Sequence, residues 1–302
     1  MIIKRLHACT GHRASLYALV PGKDDRHFIT AGGDGWVVEW NLDDPENGQM
    51  VANTEAQVFS LLALTDKSRL VAGNMHGGLH WLVRDRPDQT RNVQHHRRGV
   101  YDMLELGEYL FTAGGDGLLT RWDTATGRTV DSIQLSNVAL RAIVYVEQVG
   151  ALVVGSSDHH IYWLDAKTLV LKQVTRGAHT NSVFTLACSP NGRHLLSGGR
   201  DALLKVWKVD TWGEIAPETP LQAAHLFTLN HIVFSPDGHF FATASRDKTI
   251  KIWDTQTYAL VKVVDTLRYG GHINSVNRLL WNAGGLISVS DDRRAMIWSI
   301  EP

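Results

Sequence analysis

The sequence lacks several features that would place it in large functional classes. Only two cysteines occur, Cys9 and Cys188, with no CxxC spacing, which argues against both a disulfide framework and a cysteine-based zinc site. Only 8 of its 302 residues are proline while 44% are hydrophobic, a composition that excludes a low-complexity or disordered chain. No run of about 18 apolar residues is present, so no segment reads as a transmembrane helix. Residues 1–7 carry no apolar stretch of signal-peptide length. Charge of one sign is missing too: 30 Lys plus Arg face 31 Asp plus Glu, a net charge of −1, so no global field draws the chain onto nucleic acid or an anionic membrane. The expectation is a soluble, cytoplasmic chain with no membrane partner.

What the sequence does have is a repeat of blade length. Trp40, Trp81, Trp122, Trp163, Trp207, Trp253 and Trp298 are separated by 41, 41, 41, 44, 46 and 45 residues. Before them recur apolar segments that run into tight turns, such as Phe28-Ile29-Thr30-Ala31-Gly32-Gly33-Asp34-Gly35 and Leu110-Phe111-Thr112-Ala113-Gly114-Gly115-Asp116-Gly117. Asp and Gly tolerate the positive φ of a two-residue hairpin turn. Alternation resumes afterwards, as in Thr249-Ile250-Lys251-Ile252-Trp253, and no helical period of 10 or more residues competes with it. A second signal precedes several units: Gly11-His12, Ala178-His179, Ala224-His225 and Gly271-His272. Ser189-Pro190-Asn191-Gly192 and Ser235-Pro236-Asp237-Gly238 supply β-turn chemistry between strands. Seven units of this kind read as an all-β, seven-bladed β-propeller with four-stranded antiparallel blades, one domain over residues 1–302.

A Gly-His pair, then a turn Asp, then a Trp six residues later resembles the WD-repeat family, and the resemblance runs along the whole chain. The literal Trp-Asp pair stands only at Trp122-Asp123 and Trp253-Asp254. The resemblance implies a hydrogen-bonded chain of His, Ser or Thr, Asp and Trp in each blade. Blade 1 would use His12, Thr30, Asp34 and Trp40, and blade 3 His96, Thr112, Asp116 and Trp122. Blade 5 would use His179, Ser197, Asp201 and Trp207, blade 6 His225, Thr243, Asp247 and Trp253, and blade 7 His272, Ser288, Asp292 and Trp298. Before Trp81 the hydroxyl and turn positions read Val71 and Met75, and before Trp163 they read Val153 and Ser157. Blades 2 and 4 should therefore fold without the network and be softer. A buried Asp is costly without hydrogen-bond donors, and breaking one such chain costs roughly 1 to 3 kcal/mol.

Because free edges invite opening or aggregation, closure matters. Four residues after Trp298 are too few for another strand, whereas Ile2-Ile3-Lys4-Arg5-Leu6 forms an orphan strand before Gly11-His12. The N-terminal strand is expected to complete blade 7.

Fifteen histidines invite catalytic or metal readings. Combinations such as Ser197, His179 and Asp201 read instead as blade networks, and no Gly-x-Ser-x-Gly elbow leads a helix. Adjacent histidines, His95-His96 or His159-His160, point to opposite faces of a strand. No cofactor or metal is expected. Arg84, Arg86, Arg91, Arg97 and Arg98 form a basic run placed in the outer strand and connector after blade 2, read as a solvated rim rather than a nucleic-acid contact.

The family resemblance implies one further surface, where partner proteins or peptides dock. It gathers the residue five after each His position, here Tyr17, Phe59, Tyr101, Arg141, Phe184, Asn230 and Asn277. It also gathers the residue before each turn, here Gly33, Asn74, Gly115, Ser156, Arg200, Arg246 and Asp291. Aromatics and arginine dominate binding hot spots, and arginine reads carboxylates bidentately. The expectation is a non-catalytic scaffold that binds a protein or peptide, acidic at one end, on its top face and rim, as one subunit of a larger complex. The alternative is a propeller-type enzyme with its site at the central channel.

Overall fold

In the strand Trp36–Asn41, Val37 packs against residues of the following unit, while Val38 and Trp40 pack against residues of the preceding one. That is the signature of a sheet covered on both faces, and it recurs around the chain. The computed structural model describes residues 1–84, 86–209, 215–217 and 222–301. Within them lie seven antiparallel sheets, the blades of a β-propeller. The inner strands are Leu16–Pro21, Val58–Ala63, Val100–Leu106, Leu140–Val146, Val183–Cys188, Leu229–Phe234 and Val276–Asn282. Each packs against the inner strands of both neighbours, and the first packs against the last, closing a ring.

Closure is made by the N-terminal strand. Ile2–Cys9 pairs antiparallel with Ala295–Glu301, from Ile2 opposite Glu301 to Cys9 opposite Ala295, and buries Ile3 and Cys9. Blade 7 is thus three strands from the end of the chain and one from its start. Pro302, assigned to the chain end after that strand, lies outside the described residues.

Five blades carry the four-residue network. In blade 1, Trp40 Nε1 donates to Thr30 Oγ1 (2.8 Å), which lies 2.8 Å from His12 Nε2, while His12 Nδ1 lies 2.9 Å from Asp34 Oδ2. The same linkages join His96, Thr112, Asp116 and Trp122, and His179, Ser197, Asp201 and Trp207. They recur in His225, Thr243, Asp247 and Trp253, and in His272, Ser288, Asp292 and Trp298. Each Asp also accepts the amide of the residue after its His, such as Arg13 or Thr180. The loop entering each inner strand is thereby tied to the turn between the second and third strands, and both lie at one end of the blade. That end is the upper face. Room for the pair is made by small residues: a Cβ on Gly114 would stand 2.2 Å from His96 Nδ1.

Blades 2 and 4 correct the reading from the sequence. Strand pairing sets Leu82 opposite Leu70 and Leu164 opposite Leu152, as Trp40 stands opposite Phe28. Trp81 and Trp163 therefore sit one residue early, on the other face of the strand, where they pack toward the following blade. Their indole nitrogens are buried without a partner. The turn positions become His76 and Asp158, not Met75 and Ser157, and the hydroxyl positions Ala72 and Val154. Nor are these turns bare. Asp158 accepts from Ser136 Oγ and Tyr162 Oη, both at 2.6 Å. Asn74 Oδ1 accepts the amides of His76 and Gly78 at 2.9 Å, and its Nδ2 meets His80.

Candidate functional site

One backbone irregularity builds the upper face. In every inner strand the pairing register shifts immediately after the first residue, between Leu16 and Ala18, Val58 and Ser60, Val100 and Asp102, and Leu140 and Ala142. The same shift falls between Val183 and Thr185, Leu229 and His231, and Val276 and Arg278. The residues bypassed are Tyr17, Phe59, Tyr101, Arg141, Phe184, Asn230 and Asn277, the seven singled out in the sequence. A bulge leaves its extra residue unpaired and re-aims the side chain. Here all seven line one cavity of about 410 Å³ at the mouth of the central channel, with Gln57 and Arg278.

Five of them form a continuous run around the mouth. Tyr17 meets the ring of Phe59 edge-on at 5.5 Å, and Phe59 stacks on Tyr101 at 5.5 Å. Arg141 then lies with its guanidinium carbon 4.0 Å from the Tyr101 ring centroid and 5.1 Å from that of Phe184. Its Nε donates to Ser157 Oγ at 3.0 Å. Burial pulls the Arg141 pKa below its ordinary value, partly opposed by Tyr101. The two asparagines behave differently. Asn230 donates to Val276 O of blade 7 and Asn277 to Leu16 O of blade 1, both at 2.8 Å. Their amides tie adjacent blades together.

The second set divides. Gly33, Gly115, Arg200, Arg246 and Asp291 each send their amide to the loop before the inner strand, and Arg200 and Arg246 are exposed. Asn74 and Ser156 are buried within their turns, because the register shift moves the equivalent positions to Met75 and Ser157.

Below the mouth, the third residue of four inner strands bonds the next blade. Ser60 Oγ donates to Val100 O at 2.8 Å, and Asp102 Oδ2 accepts from the Ile143 amide at 2.9 Å. Thr185 Oγ1 accepts from the Ile232 amide at 3.2 Å, and His231 Nδ1 from the Leu279 amide at 3.3 Å. Arg278, in the same position of blade 7, donates to Asp102 Oδ1 of blade 3 at 2.9 Å. Those blades share no edge, so the ion pair crosses the channel. No convergent set at the channel was named from the sequence; this one was missed because its members lie on strands far apart in the chain.

Also missed was an apolar lip. Leu226 is 84% exposed, Phe227 59% and Ile273 54%, in the connectors that follow His225 and His272. A further exposed residue, Leu267, lies in the short helix Thr266–Tyr269, just before His272. At the same place in blades 1 and 3 stand Arg13 and the exposed pair Arg97 and Arg98.

The basic run is not one surface. Arg84 is half-buried and ion-paired with Glu39 of blade 1 at 2.6 Å. Arg91 reaches Thr126 O of blade 3, and Arg97 and Arg98 lie on the upper face. Of the paired histidines, His95 bonds Thr120 while His96 belongs to its blade network. Among the described residues no helix is long and apolar enough to cross a membrane.

The family model for the WD domain, G-beta repeat, matches residues 3–41, 171–208 and 218–254; the first match joins the closing strand of blade 7 to three strands of blade 1. Transducin beta-like protein 3 of Rattus norvegicus is 23% identical over 68% of this chain and 22% of its own length. Ribosome biogenesis protein YTM1 of Podospora anserina is 28% identical over 65% of this chain and 40% of its own length. The chain thus spans less than half the length of these curated relatives. Among solved structures, the WD40 β-propeller domain of Doa1 superposes with a TM-score of 0.86 at 19% identity, covering 99% of this chain and 97% of that one.

Proposed function

Because the chain is a WD-repeat β-propeller, we propose that it is a non-catalytic platform that docks a protein or peptide on its upper face as a subunit of a larger assembly. The observation that carries this is the convergence of seven bulged residues on one mouth, five of them in an unbroken aromatic and arginine run. Aromatics and arginine bury large area at small entropic cost. Exposed apolar side chains on the same face fit a protein partner, and Leu226, Phe227 and Ile273 supply them. The ribosome-biogenesis names of relatives such as YTM1 agree with work inside an assembly. Fold alone does not fix function. In the channel, Asp102 and His231 are committed to bonds between strands, which favours an interlocking role for them over an enzyme's.

The test is affinity purification from the native host with wild type and the double variant Tyr101→Ala, Arg246→Glu, after thermal melting shows that both fold alike. A stoichiometric partner held by wild type and lost by the variant is expected. A partner held equally by both would move the docking site off the upper face.

A further inference from the structure

The mouth carries unmatched positive charge. Arg141 and Arg278 are its charged lining residues, and none of the lining residues is acidic. Arg278 has one carboxylate partner, Asp102, which also accepts the Ile143 amide. Among the described residues Arg141 has none: its hydrogen-bonding neighbours, Ser157 and Tyr101, are neutral, its guanidinium is held between two aromatic rings, and Arg200 adds repulsion nearby. A guanidinium fixed by stacking is pre-organised for bidentate recognition of a carboxylate. Arg278 reaches across the channel to the residue next to Tyr101, the ring on which Arg141 lies, which brings a second cation toward the same wall.

We propose that the mouth takes an acidic side chain of the docked segment, an Asp or Glu carboxylate, with Arg141 reading it and Tyr17 and Phe59 covering its apolar neighbours. This rests on the upper face being the docking surface. The cavity, about 410 Å³, admits a few side chains of an extended segment rather than a folded domain.

The experiment is selection of a random dodecapeptide phage library on the immobilised protein, with Arg141→Gln as counter-selection and Arg141→Lys as the conservative variant, all three matched by thermal melting. Enrichment of peptides with Asp or Glu beside apolar residues on wild type alone is expected. In titration of a selected peptide, changing its acidic residue to the amide should weaken binding about tenfold or more, as expected for a charge-assisted pair, and Arg141→Lys should retain part of it. Failure to enrich, enrichment without acidic residues, or equal enrichment on Arg141→Gln would overturn the proposal. So would a peptide that binds only when phosphoserine replaces its carboxylate. Loss of the native partner from the Tyr101→Ala, Arg246→Glu variant in the co-purification test would show, in each case, that docking on the upper face stands without this assignment.

Discussion

The turn aspartates work because the groups around them have fixed donor and acceptor roles. A tryptophan indole can only donate, so the hydroxyl of Thr30, Thr112 or Ser197 accepts from it and is free to pass its own proton to the His Nε2. The neutral imidazole then donates from Nδ1 to the carboxylate. Burial, the main cause, pulls His96 and His225 below the ordinary His pKa, with Asp116 and Asp247 opposing. Burial alone would raise the carboxylates, but the His contact and backbone amides outweigh it; Asp201 is lowered to about 2, and Asp34, Asp116 and Asp292 are also held low. In both cases the unfolded chain binds more protons, so stability rises with pH. The melting temperature should be flat at pH 7 to 8, fall as pH drops below about 6.5 through the histidines, and fall further below about 4 through the carboxylates. A melting temperature independent of pH from 8 to 4 would contradict the neutral-His network. At this scale the sequence was legible where all four residue types coincide, and it misled at Trp81 and Trp163. Their 41-residue spacing imitates the register of the other blades, although each stands one residue early and faces the other way.

Among the elements, the inner strand and the closing strand carry the argument. The bulge after the first residue of each inner strand leaves no mark in the residue types, since Tyr17, Arg141 and Asn230 share no chemistry. Only the pattern of the family that the chain resembles pointed to their convergence; the register shift explains it. The closing strand was readable because Ile2-Ile3-Lys4-Arg5-Leu6 stands before Gly11-His12 with no partner near it in the chain. It forms the edge of blade 7 and buries Ile3 and Cys9, so removing residues 1–8 exposes an edge and uncovers Trp298 and its neighbours. Burying an aliphatic side chain contributes roughly 1.5 to 3 kcal/mol, and the ladder lost comes in addition. The deletion variant should melt at least about 5 °C lower. An unchanged melting temperature would mean that blade 7 closes without this strand. The apolar lip of Leu226, Phe227 and Ile273 was not legible because the family's pattern marks two surface positions per blade and the lip lies at a third.

Across the whole molecule, seven blades clasp one another from the inside. Ser60, Asp102, Thr185 and His231 each bond the inner strand of the next blade, Asn230 and Asn277 do so at the rim, and Arg278 braces the ring across its channel. A ring held this way presents its upper face already formed, which lowers the ordering cost of binding. The seven-fold ring was legible from spacing alone, whereas contacts such as Arg278 to Asp102, set by closure, were not. The most direct measurement of the docking claim is hydrogen–deuterium exchange of the protein alone and with its co-purified partner. Slowed exchange at residues 224–230 and 271–277 and at the strand starts around Tyr17, Phe59 and Tyr101 is the predicted result, whereas slowing confined to the outer strands or to the loops of the opposite face would contradict it.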